Sequence, residues 1–238
     1  DLDHAGFDGW SAYPLGVVWA LGDIARAPLG EVRGFDLALD STVPVGAGLS
    51  SSAAIEMSVA VALDELWGLG LDRATLARVG QRAENVAVGA PTGIMDQSAS
   101  VFGARDAAVF LDCRSLDTEV VPLGFAAAGL VLLVVDSKVE HAHANGGYRA
   151  RRESCERGAA ALGVPALRDA SIDDLPRAEA LLDEETTRRV RHIITENARV
   201  LESVDALRSG DLTAFGRLMD ASHVSMRDDF EISVAELD

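Results

Sequence analysis

Pro44-Val45-Gly46-Ala47-Gly48-Leu49-Ser50-Ser51-Ser52-Ala53 is the stretch of sequence that decides the fold of this chain. Before it, Phe35, Leu37 and Leu39 alternate with less apolar residues, which predicts a half-buried strand. After it, apolar residues recur at helical spacing from Ser50 to Trp67, which predicts a mostly buried helix. Glycines between a strand and a helix let the backbone approach an anion, and the helix start offers unpaired N–H groups. The stretch therefore predicts a phosphate-binding turn.

This turn is not the common nucleotide loop of the GxxxxGK[ST] type, because it lacks the required lysine. If it binds phosphate, the positive charge has to come from elsewhere. The most economical source is Mg²⁺ held by a serine hydroxyl and a carboxylate. A tight turn capped by a serine side chain accounts for the same residues without any ligand. The stretch by itself leaves both interpretations open.

The first half of the chain also predicts a second helix and three later strands. The helix begins after Asp72, a good N-cap, and ends near the helix breakers Gly89, Pro91 and Gly93. The predicted strands are 107–112, 118–123 and 130–136. The last is a continuous apolar run, which is typical of a strand covered on both faces.

Helical patterns dominate the second half of the chain. The predicted helices are 148–162, 184–207 and 212–226. Gly210-Asp211 predicts a helix stop followed by the cap of the next helix. This change in character predicts a domain boundary near Gly124–Gly129.

Composition and charge exclude several classes of function. Hydrophobic residues make up 48% and charged residues 25% of the chain, as expected of a folded, soluble protein. With 21 Lys and Arg against 38 Asp and Glu, the formal net charge is −17, which argues against nucleic acid and anionic membranes as partners. It does not argue against ATP, because backbone amides, a helix N-terminus and Mg²⁺ can hold a nucleotide.

The cysteines and the first residues predict a cytoplasmic location. Cys113 and Cys155 have no metal-like spacing and suggest no disulfide framework, which suits a reducing compartment. No basic stretch followed by an apolar one is visible at the start, and no apolar run approaches the roughly 20 residues that cross a bilayer.

Several separated motifs resemble one family of kinases. The 44–53 stretch resembles the ATP-binding motif of the GHMP kinases, which group galactokinases with homoserine, mevalonate and phosphomevalonate kinases. Further segments resemble the galactokinase branch: Ala83-Glu84-Asn85 with Val88-Gly89, Gly93-Ile94-Met95-Asp96-Gln97, 111–116, 148–156 and 210–229. The resemblance covers nearly the whole chain, in order and with family-like spacing.

The resemblance implies an α+β fold made of two GHMP kinase domains. The N-terminal domain, expected at 1–125, would have the ribosomal protein S5 domain 2-like fold and carry the ATP phosphate loop. The C-terminal domain, expected at 126–238, would be ferredoxin-like. The implied reaction is the transfer of phosphate from ATP to α-D-galactose with Mg²⁺, giving galactose 1-phosphate. ATP and galactose are the expected partners, and a monomer is expected.

The resemblance also assigns a phosphate site and a metal site, position by position. The residues that would cradle the phosphates of ATP are Gly46, Ala47, Gly48, Leu49, Ser50, Ser51 and Ser52. The residues that would hold Mg²⁺ are Ser52 and Glu84.

The remaining assignments concern the sugar and the adenine. Asp96 matches the active-site aspartate that contacts the sugar hydroxyl attacked by the γ-phosphate, and its place after a Pro/Gly break predicts a helix start. Gly93 and Tyr148 match positions that contact galactose. Trp10, in a Trp-x-x-Tyr segment with Tyr13, matches the adenine pocket. Without the resemblance, Asp96 would be interpreted as a helix cap, Tyr148 as ordinary packing and the two N-terminal aromatics as core.

The resemblance further implies that the chain lacks both ends of the family's pattern. A signature rich in galactose-binding polar residues is expected before Asp1, and a glycine-rich third motif is expected after Asp238. We therefore expect weak or no kinase activity from these 238 residues alone. The alternatives are a kinase for N-acetylgalactosamine or another hexose, a non-catalytic sugar sensor on the same fold, and an inert fragment.

Overall fold

The chain folds into two units, Asp1–Leu123 and Gly124–Asp238. The structure, a computed structural model, describes residues 7–29, 32, 34–46, 48–135, 137 and 144–238, without the side chains of 144–146 and 148. Among the described helices, none is both long enough and apolar enough to cross a membrane.

The first unit is mainly helical. A 3₁₀ turn, Gly9–Ser11, leads directly into α1. The helices are α1 (Ala12–Ile24), α2 (Ser51–Trp67), α3 (Arg73–Arg82) and α4 (Met95–Phe102), and α3 continues into a π-helical segment, Ala83–Val88. The predicted helix from Ser50 to Trp67 is confirmed.

The core of the first unit lies between α1, α2 and α3. Its fully buried members include Val17 and Leu21 from α1, Val59 from α2 and Val79 from α3. Burying a side chain of this size contributes about 1.5–3 kcal/mol. These apolar contacts hold α2, which follows the glycine-rich turn, against its neighbours.

The second predicted helix starts where the sequence indicates but changes its winding. Asp72 caps α3, since its Oδ1 accepts a hydrogen bond of 2.6 Å from the amide of Thr75. The helix then widens into the π-helical segment and ends at Gly89, whose φ of 80° is left-handed. π-Helical turns are rare and occur often at functional sites. The sequence pattern did not predict this widening.

Two of the predicted strands form a hairpin. β1 (Ala107–Leu111) pairs antiparallel with β2 (Thr118–Pro122), with Val109 opposite Val120. These are the strands predicted at 107–112 and 118–123, which are confirmed within two residues.

The strands predicted at 35–39 and 130–136 are wrong for the residues that the structure describes. Phe35 packs edge-on against Trp67 at the end of α2, with ring centroids 5.9 Å apart, and the stretch joins no sheet. Residues 130–135 belong to no strand, and Leu132 is 81% exposed. Residue 136 lies outside the described part. A strand needs a neighbour to satisfy its backbone groups, and apolar alternation does not show whether that neighbour is present.

The regular elements in the described residues of the second unit are helices. They are α5 (Ala144–Leu162), α6 (Leu175–Leu181), α7 (Glu184–Ser209) and α8 (Leu212–Asp228), with short 3₁₀ turns at Leu167–Asp169 and Ile172–Asp174. The three predicted helices are confirmed.

The predicted stop between α7 and α8 is also confirmed. Gly210 ends α7 with a φ of 73°, and Asp211 Oδ1 accepts a hydrogen bond of 2.8 Å from the amide of Ala214. The left-handed glycine and the side-chain cap reverse the chain within two residues.

A close approach of α5 and α7 gives a stability prediction. A Cβ added at Gly158 in α5 would lie 2.2 Å from Val190 Cγ2 in α7. We expect Gly158→Ala to lower the free energy of unfolding by about 1–3 kcal/mol, the usual cost of overpacking a core. Chemical denaturation followed by circular dichroism measures this change.

Gly216→Ala in α8 is the matched control, because a Cβ there meets nothing within 4 Å. Replacing glycine by alanine in an open helical position stabilises a protein by roughly 0.5–1 kcal/mol. Similar stabilisation by both substitutions would show that α5 and α7 are not in close contact at Gly158.

Candidate active site

The glycine-rich stretch forms an open turn with a left-handed backbone. Gly46 and Gly48 have φ values of 76° and 73°, and a Cβ at either position would meet nothing within 4 Å. Ser50, at the N-cap of α2, is also left-handed, with φ 54° and ψ 48°. Residues other than glycine seldom adopt this conformation, and when they do they cluster at functional sites. Ala47 lies outside the described residues.

The N-terminus of α2 is not capped by its own serine. The side chain of Ser50 makes no capping hydrogen bond, and the first helical bond of the segment runs from the amide of Ala54 to the carbonyl of Ser50. The amides of Ser51, Ser52 and Ala53 therefore have no acceptor within the helix. The interpretation of this stretch as a turn capped by the Ser50 side chain is therefore wrong. The positive end of the helix dipole and three free amides face the glycine-rich turn.

Glu84 is a buried carboxylate in the π-helical segment, only 6% exposed. Its Oε2 accepts a hydrogen bond of 2.8 Å from the hydroxyl of Thr92 and one of 2.9 Å from Nε2 of Gln97. Both donors are neutral, so neither cancels the charge of the carboxylate. A buried charge that is solvated by dipoles alone is available to a cation.

Glu56 is a second buried carboxyl group, and it is connected to the first. It lies in α2 and is fully buried, and its Oε2 accepts a hydrogen bond of 2.9 Å from the same Gln97 nitrogen. Ser52 lies four residues earlier on the same helix, and hence on the same face. The uncapped helix start, Glu56 and Glu84 are thus parts of one neighbourhood.

Burial and neighbouring charges raise the pKa values of Glu56 and Tyr13. Burial raises the pKa of Glu56 to about 8, the hydrogen bond from Gln97 acts in the opposite direction, and the negative charges of Glu84 and Asp96 raise it further. Glu56 is therefore mainly a neutral acid at neutral pH. The pKa of Tyr13 is also raised, first by burial and then by Glu84 and Glu56.

Asp96 is the second residue of α4, as its position after the Pro/Gly break predicted. It is half-buried and close enough to Glu56 to influence its pKa, and it is next in sequence to Gln97. It is not the N-cap, which is Ile94.

The other residues assigned from the sequence fall in different places. Trp10 lies in the 3₁₀ turn before α1 and is 67% exposed, so it is not a core residue. Tyr13, three residues later, faces the charges of Glu84 and Glu56. Gly93 is exposed in the turn before α4. Tyr148 belongs to α5 of the second unit, and its side chain lies outside the described residues.

The donor atoms near α2 fit magnesium. Across the described residues, no group of three or more His, Cys, Asp and Glu side chains converges as a metal cage. Mg²⁺ is usually held by one or two carboxylates together with water and phosphate oxygens. A serine hydroxyl at the helix start and a carboxylate with neutral partners match this requirement, so Ser52 and Glu84 are suitable ligands.

Glu56, Thr92 and the role of Gln97 were missed by sequence analysis. One signal was available for Glu56: it is an acidic residue in the middle of a helix whose neighbours are almost all apolar, four residues after Ser52. Nothing in the local sequence marks Thr92, since its contact to Glu84 depends on how the turn before α4 folds back.

Part of the chain matches the GHMP kinase family. Residues 12–104, which contain the glycine-rich turn, both buried carboxyl groups and Asp96, match the family model described as the GHMP kinases N terminal domain.

The chain is similar to galactokinases over its whole length. It is 52% identical to a galactokinase of Streptomyces coelicolor, with 100% of this chain and 61% of the relative aligned. It is 44% identical to a galactokinase of Mycobacterium tuberculosis, covering 97% of this chain and 62% of the relative. The chain thus spans about three fifths of the length of these relatives.

A solved structure agrees with these relatives. The crystal structure of Lactococcus lactis galactokinase complexed with galactose matches 100% of this chain and 62% of its own, with a TM-score of 0.83 and 32% sequence identity. The α+β fold of the GHMP kinases, expected from the sequence, is therefore confirmed.

The raised pKa of Glu56 gives a pH prediction. Between the ordinary carboxyl value of 4.5 and about 8, the folded state holds a proton on Glu56 that the unfolded state has released. Stability contributed by this group therefore falls as the pH rises through that window. Glu56→Gln cannot lose a proton, so we expect the variant to become increasingly more stable than the wild type from pH 4.5 to pH 8.

Melting temperatures of both proteins, measured without metal across this range, check the expectation. The other titratable groups near Glu56 are Glu84, Asp96 and Tyr13, and they are present in both proteins. A constant difference in melting temperature at all pH values would show that Glu56 is already ionised in the folded state.

Proposed function

We propose that this chain is the greater part of a galactokinase, which transfers the γ-phosphoryl group of ATP to α-D-galactose. The observation that carries the proposal is the uncapped N-terminus of α2 beside a buried, dipole-solvated Glu84. The choice of galactose is supported by relatives, 44 and 52% identical, that are galactokinases. It is also supported by the likeness to a galactokinase structure that contains galactose.

The phosphate groups of ATP are bound by backbone rather than by basic side chains. The left-handed residues Gly46, Gly48 and Ser50 shape the turn, and the free amides of Ser51 and Ser52 point toward the anion. Ala47 and Leu49 complete this phosphate-binding turn. Trp10 is exposed at the start of the unit, where it is accessible to stack on adenine.

Ser52 and Glu84 would hold Mg²⁺ through oxygen atoms. When bound, Mg²⁺ would offset the negative charge that develops on the phosphates during transfer. The chain's own contribution is to keep the serine hydroxyl at a fixed helix start and to hold the buried Glu84 side chain in one place. Two neutral donors on Glu84 Oε2 serve that purpose.

Asp96 acts on the sugar. From the first turn of α4, its carboxylate would accept a hydrogen bond from the attacking hydroxyl and receive its proton. The bond between the hydroxyl oxygen and phosphorus forms as the bond to ADP breaks. The loop before α4, with Gly93, would contact galactose by its backbone, and Tyr148 is also proposed as a galactose contact.

The proposal extends to the whole protein of which this chain is a part. It would consist of two domains, divided here near residue 125, and act as a monomer in the cytoplasm. ATP and galactose would be its only required partners.

Release of ADP from Mg²⁺ATP tests the reaction and its sugar. We expect the full-length gene product to release ADP with galactose and to respond much less to N-acetylgalactosamine and glucose. The 238-residue chain is measured beside it. Turnover with N-acetylgalactosamine above that with galactose would identify a different hexose kinase, and tight sugar binding without turnover would identify a sensor.

Asp96→Asn tests the proposed acceptor. Removing a positioned base usually costs about 10²–10⁴-fold in rate, so we expect kcat to fall by that amount while the affinity for ATP stays unchanged. Asp220→Asn is the matched control, because Asp220 is an exposed residue on α8. Equal activity of the two variants would remove Asp96 from the chemical step.

A further inference from the structure

One amide nitrogen joins the two buried carboxyl groups. Gln97 Nε2 lies 2.9 Å from Glu56 Oε2 and 2.9 Å from Glu84 Oε2. Gln97 and Glu56 are both completely buried, and they are 41 residues apart in the chain. Glu84 comes from the π-helical segment, so the three side chains connect three separate elements of the first unit.

The two hydrogen bonds define the orientation of the amide. A glutamine amide nitrogen carries two hydrogens, and here each has a carboxyl oxygen as its acceptor. Rotating the amide by half a turn would place its oxygen against Glu84, with an acceptor facing an acceptor. Gln97 Oε1 and Glu56 Oε1 have no partner within the described part of the chain. Leaving these two buried oxygen atoms without hydrogen bonds costs free energy. The contact between Gln97 and Glu84 is therefore maintained despite that cost.

A second donor acts on the same oxygen of Glu84. The Thr92 hydroxyl donates to Oε2 at 2.8 Å, from the turn on the other side of the carboxylate. Two donors from different elements on one oxygen fix the plane of the carboxylate and hence the direction of its other oxygen. The same geometry restricts Glu84 to one rotamer.

We propose that Gln97, anchored by buried Glu56, is a positioning residue that orients Glu84 for the cation of the reaction, with Thr92 as its second support. This inference rests on the proposed function, in which Glu84 is a metal ligand. Glu56 then serves as a buried anchor rather than as a ligand, since its side chain is completely buried and its Oε2 accepts from the amide. Because Gln97 follows Asp96 on α4, the same contact fixes the helix that carries the proposed acceptor relative to Glu84.

Metal affinity, measured without sugar and without turnover, tests the proposal. The full-length gene product is titrated with Mn²⁺ in the presence of ADP, and free Mn²⁺ is followed by electron paramagnetic resonance. We expect Gln97→Met, which keeps the side-chain length but loses both hydrogen bonds, to weaken Mn²⁺ binding by about tenfold or more. Thr92→Val, a substitution in a half-buried turn, should weaken it in the same direction.

Two controls separate positioning from stability. Val59→Ala removes buried volume from α2 and lowers the melting temperature without touching the cluster, so Mn²⁺ affinity should stay at the wild-type value. Glu56→Gln retains an oxygen that accepts from Gln97 and should likewise keep wild-type affinity. Glu56→Met removes the anchor and should follow Gln97→Met.

The outcomes distinguish this inference from the function on which it rests. If Glu84→Ala loses Mn²⁺ affinity but Gln97→Met and Thr92→Val do not, Glu84 is a ligand and the positioning role is wrong. If Glu84→Ala itself binds Mn²⁺ like the wild type, the metal site and the positioning role are both overturned. If Gln97→Met does not fold, Thr92→Val and Glu56→Met decide the question.

Discussion

Two carboxyl groups buried around a single amide impose an electrostatic constraint on the first unit. In a low-dielectric interior, Glu56 and Glu84 cannot both be ionised at low cost. The structure separates their roles by environment: Glu56, fully buried and with one hydrogen bond, has a pKa of about 8, while Glu84 receives donors from both Thr92 and Gln97. Because Glu56 is mainly neutral, most of the repulsion between Glu56 and Glu84 is removed.

The close packing of α1 supports the π-helical segment that carries Glu84. Gly16 lets α1 lie directly against the π-helical segment, since a Cβ there would be 2.8 Å from Ala87 Cβ and 3.3 Å from Ala83 Cβ. The π-helical winding begins at Ala83, so it alters the course of the residues that follow Glu84 toward Gly89, because a π turn has one more residue in each hydrogen-bonded ring. The unusual winding and the close approach of α1 therefore occur in the same segment, the one that carries Glu84.

The sequence predicted those parts of the structure that depend on local chemistry. Asp72, Gly210 and Asp211 mark helix ends through caps that involve residues three or four positions away, and each prediction was confirmed. The strands expected at 35–39 and 130–136 depend on pairing with distant residues, which apolar patterns do not specify. The same division applies to the site. A short motif predicts the turn around Gly46. The connection of Glu56 to Glu84 depends on hydrogen bonds from Gln97, which is 41 and 13 residues away from them in the chain.

The acidic character of the chain explains why the site is built in this way. A net charge of −17 produces a field that disfavours the approach of a nucleotide phosphate, so attraction at long range does not assist binding. Affinity then has to arise at contact distance, from free amides at the start of α2, from the helix dipole and from a cation. Glu84 would bind that cation well only if its orientation is fixed beforehand. An exposed, mobile carboxylate would be solvated by water and would have to be ordered when the cation binds. An acidic protein that binds an anion needs a cation beside it. A buried carboxylate with neutral hydrogen-bond donors is suited to hold that cation.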